Sequence, residues 1–146
     1  MARIAAFDPG GTTGWCRYDT ALPLENSYAC GQFEAPDHHK LLYRWLNDNE
    51  PELIVCEQFD YRPHLQNVQL ISRNYIGVIE LYTQYSGCPL IMQKPAVMKP
   101  WDNDKLKLLG LYTKNLRHAM DATRHLLVYL DKIKSDKLTE KLAVLR

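Results

Sequence analysis

At 146 residues and a formal net charge of +1, the chain is long enough to bury one real core and too short for two large lobes. An apolar share of 46% with charges interspersed excludes a disordered, fibrous or solenoid protein. No apolar run approaches the ~20 residues of a membrane span, and MARIAAFDPG reaches an acid too early for a signal-peptide core, so a soluble, cytoplasmic protein is expected.

In chain order, RIAAFD reads as a buried strand, and segments 15–18 and 27–33 as two more, separated by Gly- and Pro-containing turns. Short connections make these three an antiparallel meander. HHKLLYRWLNDNEP spaces Leu41, Leu42, Trp45 and Leu46 as one helical face, with Pro51 marking its end. ELIVCEQF is a second apolar run ending in an acid, a strand of the kind parallel sheets bury. The longest periodic segment, 67–85, places Val68, Ile71, Tyr75, Val78 and Tyr82 on an inner stripe. Leu70, Ile76, Ile79 and Leu81 on its other side are more apolar surface than one core contact needs, which suits either a second subunit or burial on several sides. CPLIMQK gives a last strand, 104–111 a short helix, and HAMDATRHLLVYLDKI a final helix with Ala119, Ala122, Leu126, Tyr129 and Ile133 inward. Residues 134–146 form a charged tail that extends as an amphipathic helix or frays. Cys16, Cys30, Cys56 and Cys88 lack any CxxC pair and read as reduced packing thiols.

This order predicts an α/β fold: a five-stranded mixed sheet, three strands antiparallel plus two parallel, flanked by helices. A right-handed crossover places ELIVCE parallel to RIAAFD, with Asp8 and Glu57 side by side at the carboxyl ends, where open α/β sheets bind ligands. Two such carboxylates need a cation or a shared proton. Pro9 keeps Asp8 extended, and Gly10 and Gly11 turn the chain away without covering it. Alone, Asp8 reads as an ordinary hydrogen-bonded acid before a turn. Together with Glu57, and with His118 and Asp121 one helical turn apart, it suggests a carboxylate-rich site for Mg²⁺ or Mn²⁺, ions that in pairs organise hydrolysis of a phosphodiester. His125, a further turn along, is a residue behind the ligands, a DNA-facing one or simple packing.

IAAFDPGGTTGW, IVCEQF and HAMDA, in that order and separation, resemble the RuvC family of Holliday junction resolvases, especially its compact phage-type members, to about Ile133. The resemblance implies an RNase H-like nuclease domain over 1–133, a homodimer, formed through the 67–85 helix, and Mg²⁺- or Mn²⁺-dependent cleavage of two symmetric strands at a four-way DNA junction, in the host cytoplasm if phage-encoded. By position, Asp8, Glu57 and Asp121 match the catalytic metal ligands. His118 stands where many members carry a fourth acid, a departure that lowers the site's negative charge and suits Mn²⁺. QKPAVMK matches Lys99 to a lysine near the DNA backbone, with Lys105 and Lys107 as looser candidates, and EQFDYRPH offers Phe59 or Tyr61 as the aromatic that stacks on an opened base. Phe59 filling core is the plain alternative, and Asp60 is left outside the metal shell. No segment resembles a docking module for a helicase.

DPGGTTG also fits the loose phosphate loop of actin-like ATPases, but those need two lobes, and the lysine-bearing P-loop pattern is absent. A catalytically silent DNA-binding subunit, and a broader nuclease of flaps, forks and replication intermediates, are the remaining alternatives.

Overall fold

Strand β1 (Arg3–Asp8) buries alternate residues on opposite sides, Ile4 and Ala6 one way and Ala5 and Phe7 the other. A strand apolar on both faces is stable only between two layers. The computed structural model describes residues 2–59 and 70–144, and in it β1 is the middle of a five-stranded sheet of order β3-β2-β1-β4-β5. Strand β2 (Thr13–Asp19) runs antiparallel to β1, and β3 (Ala29–Phe33) antiparallel to β2. Strands β4 (Leu53–Glu57) and β5 (Leu90–Gln93) complete the parallel side. The expected three-plus-two arrangement is therefore present.

The third strand begins later than expected. Between it and β2, a single turn, α1 (Leu24–Ser27), follows Pro23, and Ser27 Oγ bonds both the N–H and the C=O of Asp19. The hydroxyl closes the end of β2, so Ser27 does not join the ladder.

Helices α2 (His39–Asn49) and α3 (Ile71–Ser86) cover one face, where Leu42, Leu46, Tyr75, Ile79 and Tyr82 pack on Ala5, Phe7, Ile54 and Cys56. Glu50 takes a left-handed conformation before Pro51 and ends α2 where expected. In α3 the inner stripe is Tyr75, Ile79 and Tyr82. Ile79, expected outside, is wholly buried, while Ile71, expected inside, is exposed, and Val78 is half-buried. Val68 and residues 67–69 lie outside the described residues. Leu70, Leu81 and Tyr85 are exposed at 48%, 47% and 78%.

The opposite face carries α5 (Arg117–Lys132), whose Ala119, Ala122, Leu126 and Leu130 meet Ile4, Ala6, Cys16 and Val55. Burial of a leucine such as Leu126 contributes roughly 1.5–3 kcal/mol. Leu130 takes the place expected of Tyr129, and Ile133 is exposed just past the helix end. At about 100° per residue from Ala119, Tyr129 lies roughly 80° off the inner line and Leu130 only about 20°, so Leu130 is the one turned inward. Ahead of it, α4 is shorter than expected and spans Asn103–Leu108, begun by Asp102, whose Oδ1 accepts Lys105 N–H at 2.9 Å. The tail is helical: α6 (Asp136–Val144) buries Leu138 in the α5 core, and Lys141 Nζ lies 3.0 Å from Glu25 Oε2. All four cysteines are free, Cys16 and Cys56 buried. Among the described residues no helix is long and apolar enough to cross a membrane.

Candidate active site

Strand register assembles the site. Asp8 is opposite Gly14, and Gly14 opposite Gln32. Phe7 pairs with Cys56, which sets the following residues, Asp8 and Glu57, next to each other, and Glu57 pairs with Gln93. A lateral row, Gln32, Gly14, Asp8, Glu57, Gln93, thus crosses all five strands at the carboxyl ends of β1 and β4. Residues in such a row share a face, here the one that α5 covers.

Gly14 lets α5 land there. A Cβ on Gly14 would lie 1.9 Å from the His118 carbonyl oxygen, so any side chain would push the helix off the sheet. By contrast, a Cβ on Gly11 would meet nothing within 4 Å, and neither Gly10 nor Gly11 has a positive φ. The position that must be glycine in DPGGTTG is the last one. Leu116 at the start of α5 provides no side-chain cap; Gln32 substitutes for it from β3, its Oε1 accepting the N–H of His118 at 2.8 Å and of Ala119 at 3.2 Å. The helix is thereby fixed with His118 Nδ1 2.9 Å from Asp8 Oδ2 and with Asp121 one turn further on.

Asp8 is under electrostatic strain. Burial pushes the Asp8 carboxyl up to about 7, and the negative charges of Glu57 and Asp121 and a hydrogen bond with Glu57 add to the rise; the His118 bond opposes it and loses. The same bond raises the His118 pKa above its ordinary value. Arg124 Nη1 donates to Asp121 Oδ1 at 2.8 Å while its Nε donates to the Trp101 carbonyl at 2.6 Å and its Nη2 bonds Asn103 Oδ1. Glu57 Oε2 is 3.1 Å from His125 Nε2. The structure therefore links Asp8, Glu57 and His118 directly and brings Asp121 near enough to act on Asp8. Each carboxylate is nonetheless turned toward a protein partner, and among the described residues no three His, Cys, Asp or Glu side chains surround a common point as a cation cage. Two carboxylates and an imidazole about a third carboxyl that resists ionising are a donor set suited to a hard divalent cation. Gln32, Gly14, Gln93 and Arg124 were not singled out by sequence. A glutamine at or next to the end of each outer strand was the only signal for the first and third.

Lys99 is exposed at the end of a 3-10 turn (Pro95–Met98), two residues before Trp101, which Arg124 ties to Asp121. Lys105 and Lys107 lie on α4. The Lys105 ammonium donates to the Pro100 carbonyl at 2.7 Å, and that of Lys107 sits 4.9 Å from the centre of the Tyr112 ring, so both are engaged with the protein. Phe59, half-buried just past β4, has the Arg73 guanidinium 5.6 Å from its ring centre. Tyr61 and Asp60 lie outside the described residues. On the far face, Thr13 Oγ1 is 2.6 Å from Nε2 of buried His38, whose Nδ1 is 2.8 Å from the Ala35 carbonyl and whose ring stacks on Tyr75. Thr13 Oγ1 also accepts the Gly10 N–H, so this chain of bonds braces the loop that follows Asp8.

No protein-family model matches the chain, and neither does any curated protein. Among solved structures, Thermus thermophilus RuvC in complex with a Holliday junction substrate is similar at a TM-score of 0.66 and 16% identity, over 88% of this chain and 92% of that one. A second structure of Thermus thermophilus RuvC is similar at a TM-score of 0.61 and 17% identity, over 91% of this chain and 97% of that one. The mixed sheet and its flanking helices are thus the RNase H-like fold of RuvC.

Proposed function

We propose that this chain is a divalent-metal-dependent endonuclease acting on branched DNA, and that its substrate is the four-way junction, resolved by paired cuts from a homodimer. The observation that carries this reading is the buried carboxylate group at the end of β1: Asp8, raised to about 7 by burial and by its acidic neighbours, is a concentration of negative charge that a cation relieves. Mg²⁺ or Mn²⁺ held there by Asp8, Glu57, His118 and Asp121 would supply an activated water and stabilise charge on the phosphate oxygens.

The protein's own side chains then have distinct tasks. Arg124 orients Asp121, and Lys99 meets a backbone phosphate close to the acids. Phe59 stacks on a base opened at the crossover, a contact worth ~1–3 kcal/mol. The apolar strip of α3, with Leu70, Leu81 and Tyr85, joins two copies, and the two sites on one face of that dimer give symmetric nicks. Because such a surface reads phosphate positions more than base edges, shape sets selectivity.

The test is incubation with Mg²⁺ or Mn²⁺ and a synthetic four-way junction, a Y-fork and a linear duplex, beside Asp8→Asn. Junction-selective cutting by wild type and none by Asp8→Asn is expected. Equal cutting of all three substrates overturns junction selectivity in favour of a broader nuclease, and an active Asp8→Asn overturns the site. Junction binding without cutting points to a silent DNA-binding subunit. A monomer at all concentrations overturns the paired incision.

A further inference from the structure

Glu57 is held from behind by a side chain that sequence left undecided. His125 is wholly buried, its side chain 0% exposed, against 37% for His118. It has no path outward to substrate, and its neighbours along the helix, Thr123, Leu126 and Leu127, are buried as well. An imidazole in such a place is costly unless both ring nitrogens are bonded; a leucine would fill the site without that demand. Both nitrogens are bonded: Nε2 is 3.1 Å from Glu57 Oε2, and Nδ1 is 2.7 Å from the side chain of Gln93. Gln93 is the residue opposite Glu57 in the β4–β5 register, so one strand pair carries both ends of the contact.

We propose that His125 and Gln93 are a positioning pair for Glu57, with the ring donating Nε2–H to Oε2 and thereby fixing the carboxylate so that Oε1 faces the candidate cation. The inference rests on the metal-dependent reading above. Gln93 suits the task because an amide offers either an oxygen or an NH₂. It accepts from Nδ1–H of a charged ring or, turned over, donates to Nδ1 of a neutral one. In both cases the hydrogen on Nε2 stays directed at Glu57. A hydrogen-bond partner behind a ligand fixes its orientation, and losing one typically lowers metal affinity about 10–100-fold.

The experiment is calorimetric titration of Mn²⁺ into the full chain, as wild type, His125→Leu, His125→Gln, Gln93→Leu and Glu57→Gln, with circular dichroism and thermal unfolding of each. His125→Leu is expected to stay folded and to bind Mn²⁺ about 10–100-fold more weakly. Gln93→Leu is expected to move the same way by less, and His125→Gln to recover part of the loss through its amide donor. In the background of Glu57→Gln, His125→Leu is expected to add little, because the two side chains act as a unit. A role in packing alone would lower the unfolding temperature and leave Mn²⁺ affinity unmoved, and that result overturns the proposal. If His125→Leu does not fold, Gln93→Leu on the edge strand decides, with unchanged affinity overturning it. A wild type that binds no Mn²⁺ overturns the metal reading itself, which is a different failure from wild-type and variant chains that bind equally.

Discussion

Asp8→Asn should make the protein more stable in alkaline, chelating buffer. Burial raises Asp8 from 3.8 to about 7, so between those values the folded chain holds a proton that the unfolded chain has released. Stability then falls as pH rises through this window, because the folded state binds more protons. The Asp8 term is fully present below about pH 4 and lost above 7, the reverse of an ordinary ion-paired aspartate. A difference of roughly three pH units at ~1.4 kcal/mol each puts the cost of ionised Asp8 at about 4 kcal/mol near pH 8. Asparagine keeps the shape and an oxygen for His118 while removing the charge. Allowing for a weaker bond to His118, the net gain should be ~2–4 kcal/mol, or about 5–15 °C for a chain of this size. Urea denaturation of both proteins with chelator, at a pH near 4 and at a pH near 8, reads it directly. The advantage of Asp8→Asn should be large at the higher pH and nearly vanish at the lower. No advantage, or one independent of pH, would refute the claim that Asp8 is a strained acid.

Gly14→Ala should destabilise the fold by ~3 kcal/mol or more in urea titration, since its Cβ would overlap the His118 carbonyl, whereas Gly11→Ala, with open space around it, should change stability by less than about 0.5 kcal/mol. Gln32→Leu should cost ~1–2 kcal/mol by the same assay, because the His118 and Ala119 N–H groups lose their acceptor. Lys99→Ala should weaken junction binding and lower the slope of log affinity against log salt by about one, measured by fluorescence anisotropy.

The pattern of apolar runs made the sheet readable: a strand buried on both faces, such as RIAAFD or LIVCE, has few places to go but the middle of an α/β sheet. Asp8 and Glu57 were legible for the same reason, as acids at the ends of those runs. What was hidden depends on register and on the approach of one helix. Gln32 and Gln93 become partners of the site only once the strands are aligned. Gly14 looks like one more turn glycine until α5 is laid on it. Arg124 follows Asp121 by three residues, an ion-pair spacing on a helix; what was hidden is that the same guanidinium also grips Trp101 and Asn103, more than twenty residues back along the chain. The inner stripe of α3 was misplaced at Ile79 because the apolar arc is wide, with Leu81 and Tyr85 lying to one side of the buried Tyr75, Ile79 and Tyr82, and a wide arc does not locate its own centre.

Anomalous diffraction from crystals grown with Mn²⁺ tests the central claim most directly. A manganese peak bounded by Asp8, Glu57, His118 and Asp121 is the expected result. Manganese absent from that cluster, or bound elsewhere while His118 and Arg124 keep their carboxylates, would contradict it.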